Sequence, residues 1–177
     1  MFRPERLACT AMVVSMAASL ASAQEDSIKS AGIFQKWVVY VHEAADRKMC
    51  FAASRAQRKR NTREGKPVSV NRSIEQISVM FEPSKGRDGE VSYTGGYPYD
   101  PQKTVKLTVS GNTFTLYVDG EWAWTGSPDE DRKVHEAFRR GATAIITGVS
   151  ARGTTTSDTI SLIGFTDAFN HAKKLCS

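Results

Sequence analysis

The sequence has few of the residues that build catalytic and metal sites. Its 177 residues include three histidines and three cysteines, and they form none of the closely spaced pairs that bind zinc. A Cys-x-x-Cys motif, a P-loop and a dinucleotide-binding glycine motif are also missing. These absences predict a protein that is not an enzyme and that has no catalytic, cofactor-binding or metal-binding residues.

One segment comes close to a serine hydrolase motif. In Gly148-Val149-Ser150-Ala151-Arg152-Gly153 the second glycine lies one position too late for Gly-x-Ser-x-Gly. A triad of Ser150, Asp158 and a histidine would require the fold to bring them together, and a hydroxyl that caps a turn is the commoner role. An enzyme of unrecognised type stays open as an alternative.

Long hydrophobic runs are absent except at the N-terminus. The apolar run over residues 7–20 is too short to span a bilayer comfortably, follows two arginines and precedes small residues that suit cleavage after Ala23. We therefore predict a signal peptide over residues 1–23, a flexible leader over 24–30 and one globular domain over 31–177. The predicted location is the periplasm or cell envelope, and we expect no transmembrane span in the mature chain.

Cleavage would remove Cys9 and leave two cysteines. Cys50 and Cys176 form an even pair in an exported chain, which makes them disulfide candidates. Closing so long a loop would stabilise the fold by about 4–5 kcal/mol in the chain-entropy account. Two unpaired buried thiols are the alternative, because the spacing itself carries no signal.

Positive charge is concentrated in one segment of a chain whose formal net charge is +5. Glu64 is the one acid within that segment. The candidate anion-binding residues are Arg55, Arg58, Lys59, Arg60, Arg63 and Lys66. Such density predicts an exposed, flexible basic loop whose charges are merely solvated, and binding of lipopolysaccharide, a sulfated glycan or nucleic acid is the alternative. No aromatic residue interrupts it, so base stacking and sequence-specific nucleic-acid binding are not expected.

Strand patterns fill most of the chain. Residues 37–41, 50–53, 74–81 and 90–94 are rich in β-branched, aromatic or alternating apolar residues. Residues 105–118 alternate on both sides of Gly111-Asn112, which predicts a β-hairpin with a two-residue turn, and residues 121–124 extend it to a meander. Trp122 and Trp124 would share one side of that last strand. We expect them to be buried, with an exposed aromatic patch as the alternative.

Two short helices and two further strands complete the predicted domain. Ser127-Pro128-Asp129-Glu130 has the residues of a capping box, and Gly141 is the expected left-handed cap at the other end. Strands are predicted over 144–149 and 159–163, and a closing helix after an N-cap at Thr166. Because strands dominate and do not alternate with helices, the pattern predicts a mainly β fold of the β-sandwich type.

The C-terminal third carries a specific resemblance. The segments at 148–154 and 157–168, followed by Cys176, resemble the closing signature of the invasion-associated locus B family. Trp37 and Cys50 lie in the order typical of that family, so the similarity covers about residues 31–177. The resemblance implies an immunoglobulin-like β-sandwich of the periplasm or envelope, with no established catalytic residues or cofactor.

Two charged residues within the signature form a candidate structural pair. Arg152 and Asp158 lie on either side of a Thr/Ser-rich turn, where an ion pair would organise the backbone, and a role in ligand binding is the alternative. We expect a non-enzymatic envelope protein that contributes to host-cell invasion or envelope integrity through binding. The expected partner is an envelope or host protein, and an anionic glycan or lipid is the further candidate.

Overall fold

The computed structural model describes residues 27–177, which contain eleven strands, two α-helices and one turn of 3-10 helix at Pro83–Lys85. The predicted signal peptide, its cleavage site and Cys9 lie outside the described residues. The strands are β1 (Ile28–Phe34), β2 (Trp37–Ala44), β3 (Arg47–Arg63), β4 (Lys66–Pro67), β5 (Gln76–Glu82), β6 (Arg87–Thr94), β7 (Val105–Val109), β8 (Asn112–Asp119), β9 (Trp122–Trp124), β10 (Thr143–Val149) and β11 (Thr155–Ser161). The helices are α1 (Pro128–Arg140) and α2 (Phe165–Leu175).

Eight strands close into a barrel in the order β3-β11-β10-β7-β8-β9-β6-β5, because β5 pairs back onto β3. All of these pairings are antiparallel. The long strand β3 makes closure possible, since residues 50–55 pair with β5 and residues 56–62 pair with β11. The prediction of an immunoglobulin-like β-sandwich is therefore wrong. One sheet closes on itself instead of two sheets stacking face to face.

The mainly β composition with two late helices is confirmed, and both helices pack on the barrel. α1 packs chiefly on β6, and α2 packs on β1, β2, β3 and β5. Trp37 is fully buried between the helices, with ring centroids 6.3 Å from Phe138 and 5.0 Å from Phe165, and Phe169 extends this aromatic cluster. The indole nitrogen of Trp37 donates to the carbonyl oxygen of Ser161 at 3.0 Å, so its one polar atom is satisfied.

The predicted disulfide is confirmed. Cys50 of β3 is bonded to Cys176, which directly follows α2, and their Cα atoms lie 5.8 Å apart. Both residues are buried. The bond therefore fixes the end of the last helix to the strand that closes the barrel.

Several local predictions differ from the structure by a few residues. The Ser127 hydroxyl accepts from the Glu130 amide as predicted, but Gly141 is extended, with φ −92° and ψ 155°, instead of left-handed. The hairpin turns at Ser110 and Gly111, which both have positive φ, so β8 already begins at Asn112. The closing helix begins at Phe165, one residue before the predicted N-cap, after a left-handed Gly164.

Two segments that were predicted to be irregular belong to strands. β1 starts at Ile28, so residues 28–30 of the predicted leader are paired with β2. The predicted flexible basic loop is wrong from Arg55 to Arg63, because β3 continues through it and pairs with β11. Its basic side chains do not prevent strand formation, since most of them remain exposed.

Candidate functional site

A cleft of about 250 Å³ opens beside the C-terminal end of β3 and the loops next to it. Its walls come from the segment before β5, the loop after β6 and the turn between β10 and β11. The residues that line it include Arg63, Arg72, Tyr97, Ser150, Arg152 and Thr154. The cleft therefore gathers segments that are far apart in sequence.

A buried charged pair lies beneath the cleft. Asp158 of β11 is completely buried, and the Arg72 side chain, which donates to it through Nη2 at 2.6 Å, is only 3% exposed. The second carboxylate oxygen of Asp158 accepts from the Tyr93 hydroxyl at 2.5 Å. Both oxygens of this carboxylate are thus engaged, as burial of a charge requires.

The guanidinium of Arg72 is shared with a second carboxylate. Its Nε donates to Oε1 of Glu75 at 2.9 Å, and the ammonium of Lys59 donates to Oε2 of the same group at 3.0 Å. Asn61 accepts from Nη1 of Arg72 at 3.3 Å. Two cations therefore face two carboxylates, and the floor of the cleft is electrically balanced. We call Arg72, Glu75, Tyr93 and Asp158, together with Lys59 at their half-exposed edge, the buried network.

Burial and neighbouring groups together set the pKa values within the buried network. Burial raises the pKa of Asp158, while the Tyr93 hydrogen bond and the charge of Arg72 oppose that rise. Burial by itself would raise the pKa of Glu75, but hydrogen bonds from Arg72 and Lys59 keep this pKa below its ordinary value. Burial and the neighbouring Asp158 raise the pKa of Tyr93, so this phenol stays protonated and donates.

Tyr97 forms a wall of the cleft over the buried network. The guanidinium of Arg72 lies 5.6 Å from the centre of its ring, and its hydroxyl lies 2.5 Å from Oγ1 of Thr156. The ring also meets Tyr99 edge to face at 4.9 Å. These contacts fix the wall in place.

Two arginines, Arg63 and Arg152, lie at the rim of the cleft. Arg63 donates to the Thr154 hydroxyl at 2.8 Å, and Arg152 is exposed. The predicted pair of Arg152 and Asp158 is not present, because Asp158 forms its ion pair with Arg72. The physical reason is that Asp158 points into the barrel, whereas Arg152 lies in the exposed turn before β11.

The structure does not assemble Ser150 with a histidine. The Ser150 hydroxyl accepts from the amide of Thr154 at 3.1 Å, which is a turn-capping bond. His135 donates to the carbonyl of Gly89 and His171 to that of Ala31, both beside helices. Within residues 27–177, no group of three His, Cys, Asp or Glu side chains is placed to hold a metal ion.

The structure divides the candidate anion-binding residues between the two faces of β3. Lys59 is paired in register with Asp158, and Arg63 reaches the cleft, so both lie on the cleft side. Arg58 and Arg60 are paired with Thr159 and Ser157 on the outer face. The two remaining members, Arg55 and Lys66, are exposed at other points of the segment.

The two tryptophans of β9 lie on the outer face of the barrel. Their rings are stacked with centroids 6.2 Å apart, and Trp122 is 39% exposed. Tyr117, which is paired with Trp124 across β8 and β9, is 54% exposed. The prediction of burial is therefore wrong for Trp122.

Comparison with protein families decides the classification. The profile of the invasion associated locus B protein family matches residues 37–173. The chain belongs to this family. No match was found among curated proteins or among solved structures. Membership of the invasion associated locus B family, together with the disulfide, indicates an exported envelope protein. Within residues 27–177, neither α1 nor α2 has the length and hydrophobicity of a membrane-spanning helix.

Sequence patterns pointed to Asp158 but not to Arg72 or Tyr93, its partners at the centre of this family member's cleft. Arg72 and Asp158 are 86 positions apart, and Tyr93 and Asp158 are 65 apart. Arg72 lies in an irregular segment with no motif around it. The one available signal was Asp158 itself, a carboxylate at an inward position of an alternating strand, which requires a buried cationic partner.

Proposed function

We propose that this member of the invasion associated locus B family is a non-enzymatic envelope protein that acts by binding a partner in its cleft. Host-cell invasion or envelope integrity is the process that this binding serves. The observation that carries the proposal is the contrast between the floor and the rim of the cleft. The floor charges satisfy one another, whereas Arg152 at the rim is exposed. Such a cleft is formed before its ligand arrives.

The chemistry of the cleft supports binding over catalysis. The Ser150 hydroxyl caps a turn, His135 and His171 contact backbone carbonyls elsewhere, and His42 contacts the guanidinium of Arg47. Burial raises the pKa of Tyr97, so this phenol is not a base at neutral pH. A nucleophile with an adjacent base is the arrangement that hydrolytic catalysis requires, and these contacts do not provide it.

The rim favours a ligand that carries negative charge. The buried network is balanced, so the field at the mouth of the cleft depends on its exposed groups. Arg63 and Arg152 supply two positive charges there, and Glu121 supplies one negative charge. We infer that a carboxylate or another anionic group of the partner lies between the two arginines.

Two substitutions test the cleft without touching the buried network. Ala151→Trp fills the cleft with a large side chain, and Arg152→Glu reverses a charge at its rim. Because both residues are exposed, neither substitution should unfold the protein. The protein, tethered to a resin, would be offered envelope extract, and the retained molecules would be identified. We expect the partner of the wild-type protein to be lost in both variants and kept by Lys103→Glu, a matched exposed control.

Ser150→Ala separates binding from catalysis in the same experiment. Loss of the turn-capping bond should lower stability slightly and leave capture of the partner unchanged. Turnover of a captured molecule that disappears in Ser150→Ala would contradict a non-enzymatic role. Equal capture by wild type, Ala151→Trp and Arg152→Glu would contradict the cleft as the binding site.

A further inference from the structure

The outer face of five consecutive strands, β3-β11-β10-β7-β8, is built from hydroxyl and basic side chains. The inward positions of these strands are mostly apolar or lie in or beside the buried network, so the alternate positions point outward. Register places them in two rows that cross all five strands. The first row is Arg60, Ser157, Thr147, Lys106 and Thr115, and the second is Arg58, Thr159, Ile145, Thr108 and Thr113. We call these ten residues the hydroxyl-basic face.

This face is open in the described part of the chain. The helices pack chiefly on other strands, with α1 on β6 and α2 on β1, β2, β5 and the part of β3 near Cys50. Arg58, Arg60, Lys106 and Thr113 are exposed, and Ile145 is 45% exposed. A threonine-rich sheet face of this extent has no internal role in the core, because its side chains point away from it.

The charge of the face has one sign. Its ten residues include three cations and no carboxylate. In the first row Arg60 and Lys106 are separated by three strand spacings, or about 14 Å. Some basic residues elsewhere on the surface do have acidic partners, as in the pairs of Lys48 with Glu43 and Lys173 with Asp88. The hydroxyl-basic face therefore carries uncompensated positive charge across a broad surface.

We propose that the hydroxyl-basic face binds a linear anionic polysaccharide, with its sulfate or carboxylate groups on the three cations and its hydroxyl groups on the threonine and serine rows. Hydroxyl side chains both donate and accept, which suits a chain of sugar hydroxyls. The ten residues of the face include no aromatic ring for stacking nucleic-acid bases, and the exposed ring of Tyr117 lies beyond the first row on β8. The lone exposed aliphatic side chain of the face, Ile145, gives little apolar area for insertion into a membrane. This site is separate from the cleft, and the proposal does not depend on ligand binding in the cleft.

Heparin is a suitable probe, with neutral dextran and phosphatidylglycerol vesicles as comparisons. We expect the protein to bind heparin with an affinity that falls steeply with salt, and to bind dextran and the vesicles much more weakly. The variant Arg58→Glu/Arg60→Glu/Lys106→Glu should lose affinity for heparin by about tenfold or more at low salt. Absence of heparin binding by the wild-type protein, or binding to the vesicles alone, would overturn the proposal.

The matched control carries the same change of net charge on other exposed sites. Lys103→Glu/Lys133→Glu/Lys174→Glu alters a loop and the two helices, so it should retain affinity for heparin within about threefold. An equal loss in both triple variants would show a nonspecific effect of net charge and would overturn the proposal. Ala151→Trp should bind heparin normally, which separates this face from the cleft.

The hydroxyl rows have their own test. Thr147→Val/Thr159→Val keeps the shape and strand preference of both side chains and removes only the hydroxyl groups. We expect a severalfold loss of affinity for heparin with an unchanged dependence on salt, because the cations remain. Unchanged affinity would overturn the role assigned to the hydroxyl rows.

Discussion

The two sides of the barrel differ in what covers them. On one side α1 and α2 bury an aromatic cluster around Trp37, and the disulfide fastens α2 to β3. The opposite side, made of β11, β10, β7 and their neighbours, exposes hydroxyl and basic side chains. The helix-covered side supplies packing and the covalent link, whereas the open side is available to a partner. Changes on the first should alter stability, and changes on the second should alter binding.

The interior of the barrel shows a similar contrast. Apolar residues fill most of it, but the buried network replaces them under the cleft. A buried network of this kind adds little net stability compared with apolar packing, yet breaking it is costly. Its evident effect is to hold the cleft walls at fixed positions.

The largest effect on stability is expected from loss of the disulfide. The double variant Cys50→Ala/Cys176→Ala opens a link between residues 126 positions apart. We expect the free energy of unfolding to fall by about 4–5 kcal/mol in urea titrations. Reduction of the wild-type protein serves as the control and should give a similar fall. A change below about 1 kcal/mol would contradict the stabilising role of the helix-covered side.

Breaking the buried network should lower the free energy of unfolding almost as much as loss of the disulfide. Arg72→Met leaves Asp158 buried without its cation, and we expect a loss of about 3–5 kcal/mol. Arg72→Met/Asp158→Asn removes both charges and should recover part of this loss, because Lys59 still pairs with Glu75. The urea midpoints of the three proteins measure the effect. A double variant less stable than the single one would show that the pair is not coupled as described.

Stability should also depend on pH through His135 on the helix-covered side. Burial lowers the pKa of His135 to about 4, with Arg139 and Lys173 acting in the same direction and Gly89 and Asp88 opposing it. The unfolded chain binds this proton from about pH 6.5 downward, so the contribution is present above that pH and is lost as the pH falls towards 4. We expect a loss of up to about 3 kcal/mol across this window.

The control for this pH dependence is His135→Gln, which keeps a donor for Gly89 but does not titrate. Its stability should change less between pH 7 and pH 4 than that of the wild-type protein in thermal denaturation. Parallel pH curves for the two proteins would assign the dependence to other groups.

Substitutions on the open side of the barrel should have the smallest effect on the free energy of unfolding. Arg58→Glu/Arg60→Glu changes outward positions of β3 and should alter the free energy of unfolding by no more than about 0.5 kcal/mol. Lys59→Glu lies between them but faces Glu75 and Asp158, so it should destabilise the protein clearly more. Melting temperatures of the two variants test this alternation. Equal effects would show that the two faces of β3 are not distinguished as described.

Local sequence signals predicted local structure well. The hairpin of β7 and β8, the capped start of α1 and the disulfide depend on neighbouring residues or on the few cysteines available. Closure of the barrel was not predicted, because it depends on β3 pairing with β5 through one half and with β11 through the other. No short-range pattern encodes that change of partner.

The basic segment shows why polar composition misleads. Residues 55–63 lack the apolar alternation of a half-buried strand, since both faces of this part of β3 carry polar or charged groups. One face is exposed and the other meets the buried network. The partner of Asp158 was missed for a related reason, because only the tertiary structure brings Arg72 to it.

The separation of stability from binding is tested most directly by a residue-resolved map of ligand contact. The amide signals of the ¹⁵N-labelled protein would be followed by NMR during titration with a heparin oligosaccharide. We predict that shifts concentrate on Arg58–Thr62 of β3 and on β11, β10, β7 and β8, with α1 and α2 unchanged. Shifts centred on the helices, or spread evenly over the barrel, would contradict this account.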